Sequence, residues 1–403
     1  MILSQIGFSS VLKSNIIFGV QSVRQNLVKK IMQFEKSNVF LVTDPGLVAA
    51  GIVPDITAIL DKGNIRYTVF SEVEPNPQAT TVMKGAERYI EENCDMLIAV
   101  GGGSSIDLGK AVGVVVSHPG HIMDYRRGKE RLSRKIPTMF AIPTTVGTGS
   151  EVTPVSVVTD KEKGRKFVIA SSFLIPDAAF IDPSLTISLP RHLVSTTAID
   201  ALVHALEAYV SVGANPISDG MAMQAMKMIV KNLPASYAHP NNMEARSQIH
   251  LASTLAGYAF GIGGLGLVHS CSHPLSARYD VPHGLANSIL LPFVVEHNLI
   301  SNYERYADIA RVFDTSLHSV SDQKAAEALV EILKDFTKQL DIDQDFSYLN
   351  IDFSKEMMDQ LIEDAMNDFI TIPKNPRKVF REDVEKIYKK VLPSRVRDSV
   401  KNV

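Results

Sequence analysis

The sequence predicts an α/β domain with a mostly parallel, doubly wound sheet, followed by an all-α domain. In the first half, short apolar runs alternate with segments of helical periodicity, which is typical of a parallel sheet with helices on both faces. The runs are almost continuously apolar, as strands covered on both faces are. From about residue 186, helical periodicity continues while strand-like runs nearly vanish. We therefore predict domains at 1–185 and 186–403.

Four apolar runs are the predicted parallel strands of the first domain, at 39–43, 66–70, 96–100 and 138–142. Amphipathic helices are predicted among them at 79–93 and 105–117, because apolar residues recur there at helical spacing. The pattern then changes, and further short strands with turns are predicted at 155–159, 166–170 and 179–182. We interpret this last group as a hairpin that closes the domain.

The second domain is predicted to contain helices only, since its apolar residues recur at intervals of three and four. The helices are predicted at 191–211, 217–232, 244–260, 284–298, 302–313, 322–338, 355–367 and 381–390. Ligand sites are often found where two domains meet. We therefore expect the functional site at the junction of the sheet and the helices.

Composition excludes several classes of function. Among 403 residues, 41 Lys and Arg and 44 Asp and Glu give a net charge of −3, too near neutral to indicate nucleic acid or a membrane surface as partner. Cys94 and Cys271 lie far apart, which predicts no disulfide framework and fits a reducing compartment. We see neither a secretory leader nor an apolar run long enough to cross a bilayer. The expected location is the cytoplasm.

Four side chains of the second domain form a candidate metal site. Asp200 and His204 are four residues apart in a predicted helix and share one of its faces. His269 and His283 follow on segments rich in small and apolar residues, where an isolated polar side chain needs a partner. One carboxylate and three imidazoles suit Fe, Zn, Co or Ni better than Mg or Ca. If these side chains converge, a divalent metal can bind there and still accept a substrate oxygen.

His273 is an alternative fourth ligand, because it lies four residues after His269 and can share its helix face. We place it instead near the open coordination position, as a candidate proton relay, since the pKa of histidine is close to neutral. Pro274 follows directly and is expected to end or bend the helix.

A glycine-rich turn follows the third strand, with Gly101, Gly102 and Gly103 ahead of Ser104 and Ser105. Glycine allows a sharp turn and the close approach of a ligand. We expect Ser104 or Ser105 to cap the next helix, whose free N–H groups then face a pyrophosphate. The alternative is a purely structural turn between strand and helix.

Two other segments are candidates for the same cofactor. The segment 143–151, after the fourth strand, carries hydroxyls and glycines that can hold a diphosphate or a nicotinamide. Asp44, at the end of the first strand, can accept hydrogen bonds from an adenosine ribose and repel a 2′-phosphate, which favours NAD over NADP. Alternatively, Asp44 only opens an Asp-Pro-Gly turn. The segment 261–266 matches G-x-G-x-x-G but follows a helix, so we interpret it as a flexible loop leading to His269.

Taken in order, these motifs resemble the iron-dependent (group III) alcohol dehydrogenases over essentially the whole chain. The matching segments are 101–107, 144–152, 199–209 and 269–284. The resemblance implies a Rossmann-like first domain within a dehydroquinate-synthase-like architecture. It also implies a homodimer or a larger assembly, with an N-terminal strand that crosses to the partner.

The resemblance assigns roles to individual residues. It implies that Asp200, His204, His269 and His283 bind Fe²⁺, or Zn²⁺ in some members, and that His273 lies beside the metal near the nicotinamide. Catalysis is thereby expected to involve His273, Asp200 and His204. The implied cofactor is NAD, with pyrophosphate on the glycine turn, nicotinamide against the threonines and ribose near the lysine. Its expected contacts are Asp44, Asn76, Gly102, Gly103, Ser104, Asp107, Thr144, Thr145, Thr148 and Lys166.

The function that follows is NAD(H)-linked interconversion of a small primary alcohol and its aldehyde. Arg278 departs from most relatives near the expected substrate pocket and raises a second hypothesis, a small anionic sulfo-, phospho- or carboxy-aldehyde, because guanidinium groups bind such anions. The alternative for Arg278 is a surface position or an ion pair. Two rival functions are a dehydroquinate-synthase-like lyase and a non-catalytic metal- or nucleotide-binding protein.

Overall fold

The computed structural model of the protein describes residues 12–126, 129–161, 165–351 and 353–392, without the side chain of Arg165. In this part of the chain the strands are β1 (Asn15–Phe18), β2 (Asn38–Val42), β3 (Arg66–Phe70), β4 (Met96–Gly101), β5 (Met139–Pro143), β6 (Val155–Asp160), β7 (Arg165–Ala170) and β8 (Ala178–Ile181). All of them except β6 and β7 form one sheet in the order β1-β8-β5-β4-β2-β3, with parallel pairing throughout. The predicted parallel sheet is confirmed.

The strand order determines where a ligand can approach the sheet. From β2 the chain moves outward to β3, then returns past β2 to β4 and continues to β5. The carboxyl ends of β2 and β4 therefore flank the point at which the strand order reverses, where open α/β sheets bind their ligands. Strands β2, β4, β5 and β8 are buried along their whole length, which explains their continuous apolar sequences.

The region after β5 differs from the predicted hairpin. Only β6 and β7 form an antiparallel pair, from Val155 opposite Ala170 to Asp160 opposite Arg165. Strand β8 instead lies between β1 and β5 in the main sheet, because an apolar run indicates a strand but not its partner. The strand β1 was not predicted from the apolar pattern, since only its two middle residues are partly covered. The predicted exchange of an N-terminal strand concerns the start of the chain, where residues 1–11 lie outside the described residues.

Helices cover both faces of the sheet: α1 (Ser22–Gln33), α2 (Pro45–Ala49), α3 (Ile52–Lys62), α4 (Ala79–Glu91) and α5 (Gly103–Ser117). The apolar pattern predicted α4 and α5 but not α1, α2 and α3. Helix α5 begins with Gly102 as its N-cap and makes no side-chain capping bond. The expectation that Ser104 or Ser105 caps this helix was wrong, because the helix starts earlier and both serines already belong to its first turn.

The second domain is helical, as predicted. Its described helices are α6 (Arg191–Val210), α7 (Pro216–Ala238), α8 (Met243–Gly263), α9 (Leu267–Tyr279), α10 (His283–Asn298), α11 (Tyr303–Phe313), α12 (Asp322–Gln339), α13 (Lys355–Met366) and α14 (Arg381–Val391). Helix α9 continues through Pro274 and ends only at Tyr279. Residues 261–263, expected in a flexible loop, are the last residues of α8, which is followed by a turn at Gly264 with φ of 90°.

Helix α6 is the centre of this domain. By length and composition α6 could cross a membrane, contrary to the expectation from the sequence, but 83% of its apolar window is buried inside the protein. Helices α8 and α9 meet that criterion only as a pair, across a bend of 107°. Neighbouring helices α7, α8 and α10 pack against α6, so its apolar surface is that of a core helix.

Helix α8 packs directly on the first domain. A Cβ on Gly257 would lie 2.8 Å from the Cα of Gly149, so only a glycine pair permits this backbone approach. One turn earlier, Thr254 donates a hydrogen bond of 2.8 Å to the buried carboxyl group of Glu151. The loop that follows β5 is thereby held against the helical domain.

Candidate active site

The four candidate metal ligands converge. Asp200, His204, His269 and His283 each offer one donor atom, and these atoms all lie within 4.8 Å of one another. Oδ1 of Asp200 is 3.9 Å from Nε2 of His204 and 3.9 Å from Nε2 of His283. Two ligands come from the middle of α6, one from the first turn of α9 and one from the first residue of α10. Three elements distant in sequence thus bring one carboxylate and three imidazoles to one point.

Hydrogen bonds on the far side of two rings orient them toward this point. Nδ1 of His204 donates to the carbonyl oxygen of Gly147 at 3.1 Å. Nδ1 of His269 lies 2.6 Å from Oε2 of Glu207. A histidine held in this way through Nδ1 presents the Nε2 lone pair to a metal. Burial lowers the pKa of His269 and of His283 well below the usual value, so both rings are neutral, which is the form that binds a cation.

Glu207 is a buried carboxyl group that the sequence reasoning did not use. It lies seven residues after Asp200 and three after His204, on the same face of α6. Besides His269, it accepts the backbone N–H of Gly266 at 2.9 Å and that of Val268 at 2.6 Å. Burial raises its pKa to about 7, although both backbone N–H groups and His204 favour the ionised form. The i, i+4, i+7 spacing on α6 was a signal that could have identified it.

Asn287 was also missed, although it lies four residues after His283 on α10. Its Nδ2 donates to Oδ1 of Asp200 at 2.6 Å and lies 3.3 Å from Nε2 of His269 and 3.2 Å from Nε2 of His283. The side chain therefore touches three of the four candidate ligands. The hydrogen bond from Nδ2 to Oδ1 holds the Asp200 carboxylate in place.

His273 lies beside the four ligands rather than among them. Its ring centroid is 5.9 Å from that of His269 and 5.5 Å from that of His283, against which it is stacked. Nδ1 is 3.0 Å from Oδ2 of Asp368, and the side chain is 26% exposed. Asp368 also accepts the backbone N–H groups of Ile370 and Thr371. Nothing in the sequence marks Asp368 as a partner of His273, because it follows α13 and is 95 residues away.

The residues present fit a divalent iron or zinc ion. The donor set is borderline in hardness, it is mostly buried, and the imidazoles of His269 and His283 are neutral. Nδ1 of His283 and Oδ1 of Asn287 are buried without a hydrogen-bond partner among the described residues, which is costly in a site made only of protein. A cation bound by the four donors would place a positive charge at the centre of this polar cluster.

The two predicted cofactor segments lie side by side at the end of the sheet. Gly101 has φ of 148°, and its carbonyl oxygen accepts the backbone N–H of Thr144 at 3.0 Å. A Cβ on Gly102 would lie 3.2 Å from Cγ2 of Thr145, and one on Gly103 would lie 2.8 Å from Cγ2 of Thr148. Because glycine has no side chain, the turn and the threonines can lie close together. The narrow surface between them lies above the first backbone N–H groups of α5. Ser104, in that first turn, is half-buried.

Two charged residues of α5 hold the segment that follows β5 in position. The half-buried Asp107 accepts from Oγ of Ser150 at 2.5 Å and from the backbone N–H of Val157 at 2.9 Å. The fully buried Lys110 donates to carbonyl oxygens of Ser150, Thr153 and Val155 at 2.6, 3.0 and 2.7 Å. Both oxygens of Asp107 thus have protein partners, and any contact of Asp107 with a cofactor is additional to this role.

The remaining cofactor candidates lie on three other segments of the first domain. Lys166, on β7, is half-buried; burial lowers its pKa to about 8, and the carboxylates of Asp107 and Asp200 oppose the shift. Its ammonium group is therefore within electrostatic reach of both carboxylates. Asp44 accepts the backbone N–H of Leu47 at 3.1 Å as the N-cap of α2, which leaves Oδ2 without a bond in that cap. Asn76 follows β3 in a left-handed conformation with φ of 58°.

Comparison with known proteins assigns the family. The sequence pattern of the iron-containing alcohol dehydrogenases matches residues 13–183, and that of the C-terminal part of the Fe-containing alcohol dehydrogenase family matches residues 194–392. The chain belongs to the iron-containing alcohol dehydrogenases. It is 35% identical to an NAD-dependent methanol dehydrogenase of Bacillus methanolicus over 363 residues, which cover 90% of this chain and 94% of that protein.

Solved structures of this family share the fold along both domains. A 1,3-propanediol oxidoreductase is 36% identical with a TM-score of 0.92, covering 96% of this chain and all of the other. A sulfoacetaldehyde reductase from Bifidobacterium kashiwanohense, solved in complex with NAD⁺, is 28% identical with a TM-score of 0.86, covering 96% of this chain and 99% of the other. The relatives act on both neutral and anionic small substrates.

Within this iron-containing alcohol dehydrogenase, Arg278 forms an ion pair. Its Nε and Nη2 lie 2.6 and 2.5 Å from Oδ2 of Asp364 on α13. The ion pair was the alternative that the sequence left open.

The segment 261–266 matches a dinucleotide-binding motif in its letters but directly follows a residue of the candidate metal site. Phe260 stacks on His204 with ring centroids 4.5 Å apart. The end of α8 therefore lies beside the candidate metal site.

Proposed function

We propose that this protein catalyses the NAD(H)-linked interconversion of a small primary alcohol and its aldehyde at an iron site. The observation that carries the proposal is the convergence of one carboxylate and three imidazoles within 4.8 Å, next to a glycine turn at the reversal point of the sheet. Membership of the iron-containing alcohol dehydrogenases and the methanol and propanediol activities named for its relatives support this substrate class.

Some residues of the site would bind the metal and the cofactor, and others would position them. Asp200, His204, His269 and His283 would hold Fe²⁺, or Zn²⁺ in its place, and when bound the ion acts as a Lewis acid on a substrate oxygen. The N–H groups at the start of α5 bind the cofactor pyrophosphate, with Gly102, Gly103 and Ser104 lining the turn. Thr144, Thr145 and Thr148 position the nicotinamide, which carries the hydride. The bond from His204 to Gly147 fixes the distance between the two halves of the site.

His273 is proposed to move the proton of the alcohol. Its Nδ1 is bound to Asp368 and its side chain is partly exposed, so Nε2 is the atom left to exchange a proton with substrate and water. Replacing His273 by alanine is expected to lower kcat on the order of a hundredfold, which is typical for the loss of a general acid–base group. Metal content, measured by atomic emission, should stay at the wild-type level. Loss of the metal instead would make His273 a ligand and contradict this role.

Asp44 is proposed to select NAD. Serine at this position can still cap α2, because its hydroxyl can accept the backbone N–H of Leu47 as the carboxylate does. We expect Asp44→Ser to raise the kcat/KM for NADP relative to that for NAD by about tenfold or more, since a charge facing the 2′-phosphate is removed. The thermal unfolding midpoint serves as the control and should not change. An unaltered cofactor ratio would restrict Asp44 to its capping bond.

We also propose that the protein is cytoplasmic and works as a homodimer or larger homo-oligomer. Two free, buried cysteines, Cys94 and Cys271, support a reducing compartment. Phe18, the last residue of the edge strand β1, and Val20, just after it, are 45% and 43% exposed. Apolar side chains at an open sheet edge favour pairing with another chain. Sedimentation velocity at micromolar concentration tests the assembly, and a monomer there would contradict it.

The decisive experiment for the proposed function is a substrate panel on iron-reconstituted protein under anaerobic conditions. NADH formation is followed with short primary alcohols, and NADH consumption with the matching aldehydes, including butanal and sulfoacetaldehyde. We expect turnover with neutral substrates and steady accumulation of NADH from alcohols, which a lyase that recycles its cofactor does not give. A preference for sulfoacetaldehyde would support the anionic alternative, and Arg278→Ala would then test Arg278. No turnover with any member would contradict the proposal.

A further inference from the structure

Glu207 connects the two helices that carry three of the four candidate metal ligands. It belongs to α6, together with Asp200 and His204, and its side chain is 3% exposed. Within the described part of the chain, the hydrogen bonds of its side chain run to residues at the start of α9: the backbone N–H groups of Gly266 and Val268 and the ring of His269. One carboxylate thus links α6 to the start of α9.

The start of α9 depends on this contact. The helix has Gly266 as its N-cap and makes no side-chain capping bond of its own. Its first free N–H groups are instead bound by Glu207 and, at Leu267, by Oδ1 of Asn375 at 3.2 Å. An anionic acceptor at a helix N-terminus is favoured by the helix dipole as well as by the hydrogen bonds. A Cβ on Gly266 would lie 3.2 Å from Oε1 of Glu207, so glycine leaves room for the carboxylate.

The same carboxylate determines which nitrogen of His269 can bind a metal. Both oxygens of Glu207 already act as acceptors, Oε1 for the backbone N–H of Val268 and Oε2 for that of Gly266, so at 2.6 Å from Oε2 the proton of the neutral ring is on Nδ1. The lone pair is then on Nε2, on the side of Asn287 and Asp200. A carboxylate that accepts from the ring also makes it a stronger donor to a cation.

We propose that Glu207 is the positioning residue of the metal site: it ties α9 to α6 and fixes His269 with Nε2 toward Asp200 and His204. This inference rests on the proposed function for the identity of the site, but not on any substrate. Glutamine in its place has the same shape and loses the ability to accept from His269 and from both backbone N–H groups at once. The metal affinity should therefore fall without loss of the fold.

The test compares Co²⁺ binding by metal-free wild type, Glu207→Gln, Glu207→Asp and Glu151→Gln, using chelator competition and the visible ligand-field absorption of Co²⁺. Glu151 is a matched control, because its carboxyl group is equally buried but bonds Thr254 and contacts no candidate ligand. We expect Glu207→Gln to weaken Co²⁺ binding on the order of 10- to 100-fold and to alter the absorption. Glu207→Asp should recover part of the affinity, and Glu151→Gln should bind as wild type does.

Three results would count against the inference. Wild-type affinity and spectrum in Glu207→Gln would show that the contact does not position His269. An equal loss in Glu151→Gln would reveal a general effect of replacing a buried carboxyl group. If both Glu207 variants fail to fold with saturating Co²⁺ while Glu151→Gln folds, Glu207 serves the fold and not the metal. Wild type that binds Co²⁺ but oxidises no alcohol would overturn the proposed function and leave this inference standing.

Discussion

Replacing His269 by alanine is expected to remove the metal and to abolish turnover. The ring is 1% exposed, is held by Glu207 at 2.6 Å and contributes one of four donors within 4.8 Å. The three remaining donors would bind iron weakly, and the metal would no longer polarise the substrate oxygen. Because a metal of this kind supplies several kcal/mol of transition-state stabilisation, kcat/KM should fall on the order of a thousandfold or more. Atomic emission and steady-state kinetics measure both effects.

A buried histidine away from the site provides the control. His250, on α8, is also 1% exposed, and neither ring nitrogen has a hydrogen-bond partner among the described residues. His250→Ala removes the same side chain from a core position and is expected to lower stability while the bound metal remains. If His269→Ala keeps its metal, or if His250→Ala loses as much, the four-donor site is contradicted.

The second large effect is expected at the glycine turn. A Cβ on Gly103 would lie 2.8 Å from Cγ2 of Thr148, and the two methyl groups of valine extend farther. Gly103→Val should therefore push the turn away from the second loop and fill the surface proposed for the pyrophosphate. We expect the dissociation constant for NADH to rise on the order of a hundredfold, equivalent to about 2.7 kcal/mol, with metal content unchanged. Fluorescence titration of NADH measures the constant.

Gly220 is the matched control for this substitution. It also lies in a helix, α7, and a Cβ there would meet no atom within 4 Å. Gly220→Val should leave NADH binding at the wild-type level. Unchanged NADH binding in Gly103→Val would move the cofactor away from this turn, and equal weakening in both variants would indicate a general loss of folding.

The candidate ligands could be predicted because their signal is local and chemical. Asp200 and His204 share a helix face by their spacing, and three histidines within fifteen residues on apolar segments require partners. The sheet could be predicted because β2, β4 and β5 are buried on both faces and therefore have uninterrupted apolar sequences. The glycine turn followed from its place between a strand and a helix.

The parts that could not be predicted depend on tertiary contacts. Asp368 reaches His273 across 95 residues, and no periodicity links α13 to α9. The pairing of Arg278 with Asp364 is equally non-local, so the sequence left its role open. Strand β8 was predicted as a strand but assigned to the wrong sheet, because an apolar run carries no information on its neighbour. Glu207 and Asn287 were also missed, but for them the sequence carries a signal. Both lie at helical spacing from a candidate ligand, and that spacing could have identified them.

The most direct test of the central claim is a crystal structure of the iron-reconstituted protein with NADH, with anomalous diffraction recorded on both sides of the iron absorption edge. The account predicts one strong iron peak bonded to Asp200, His204, His269 and His283, with the dinucleotide pyrophosphate at the first turn of α5. An iron peak outside these four side chains, or a well-ordered site that binds no iron at all, would contradict it.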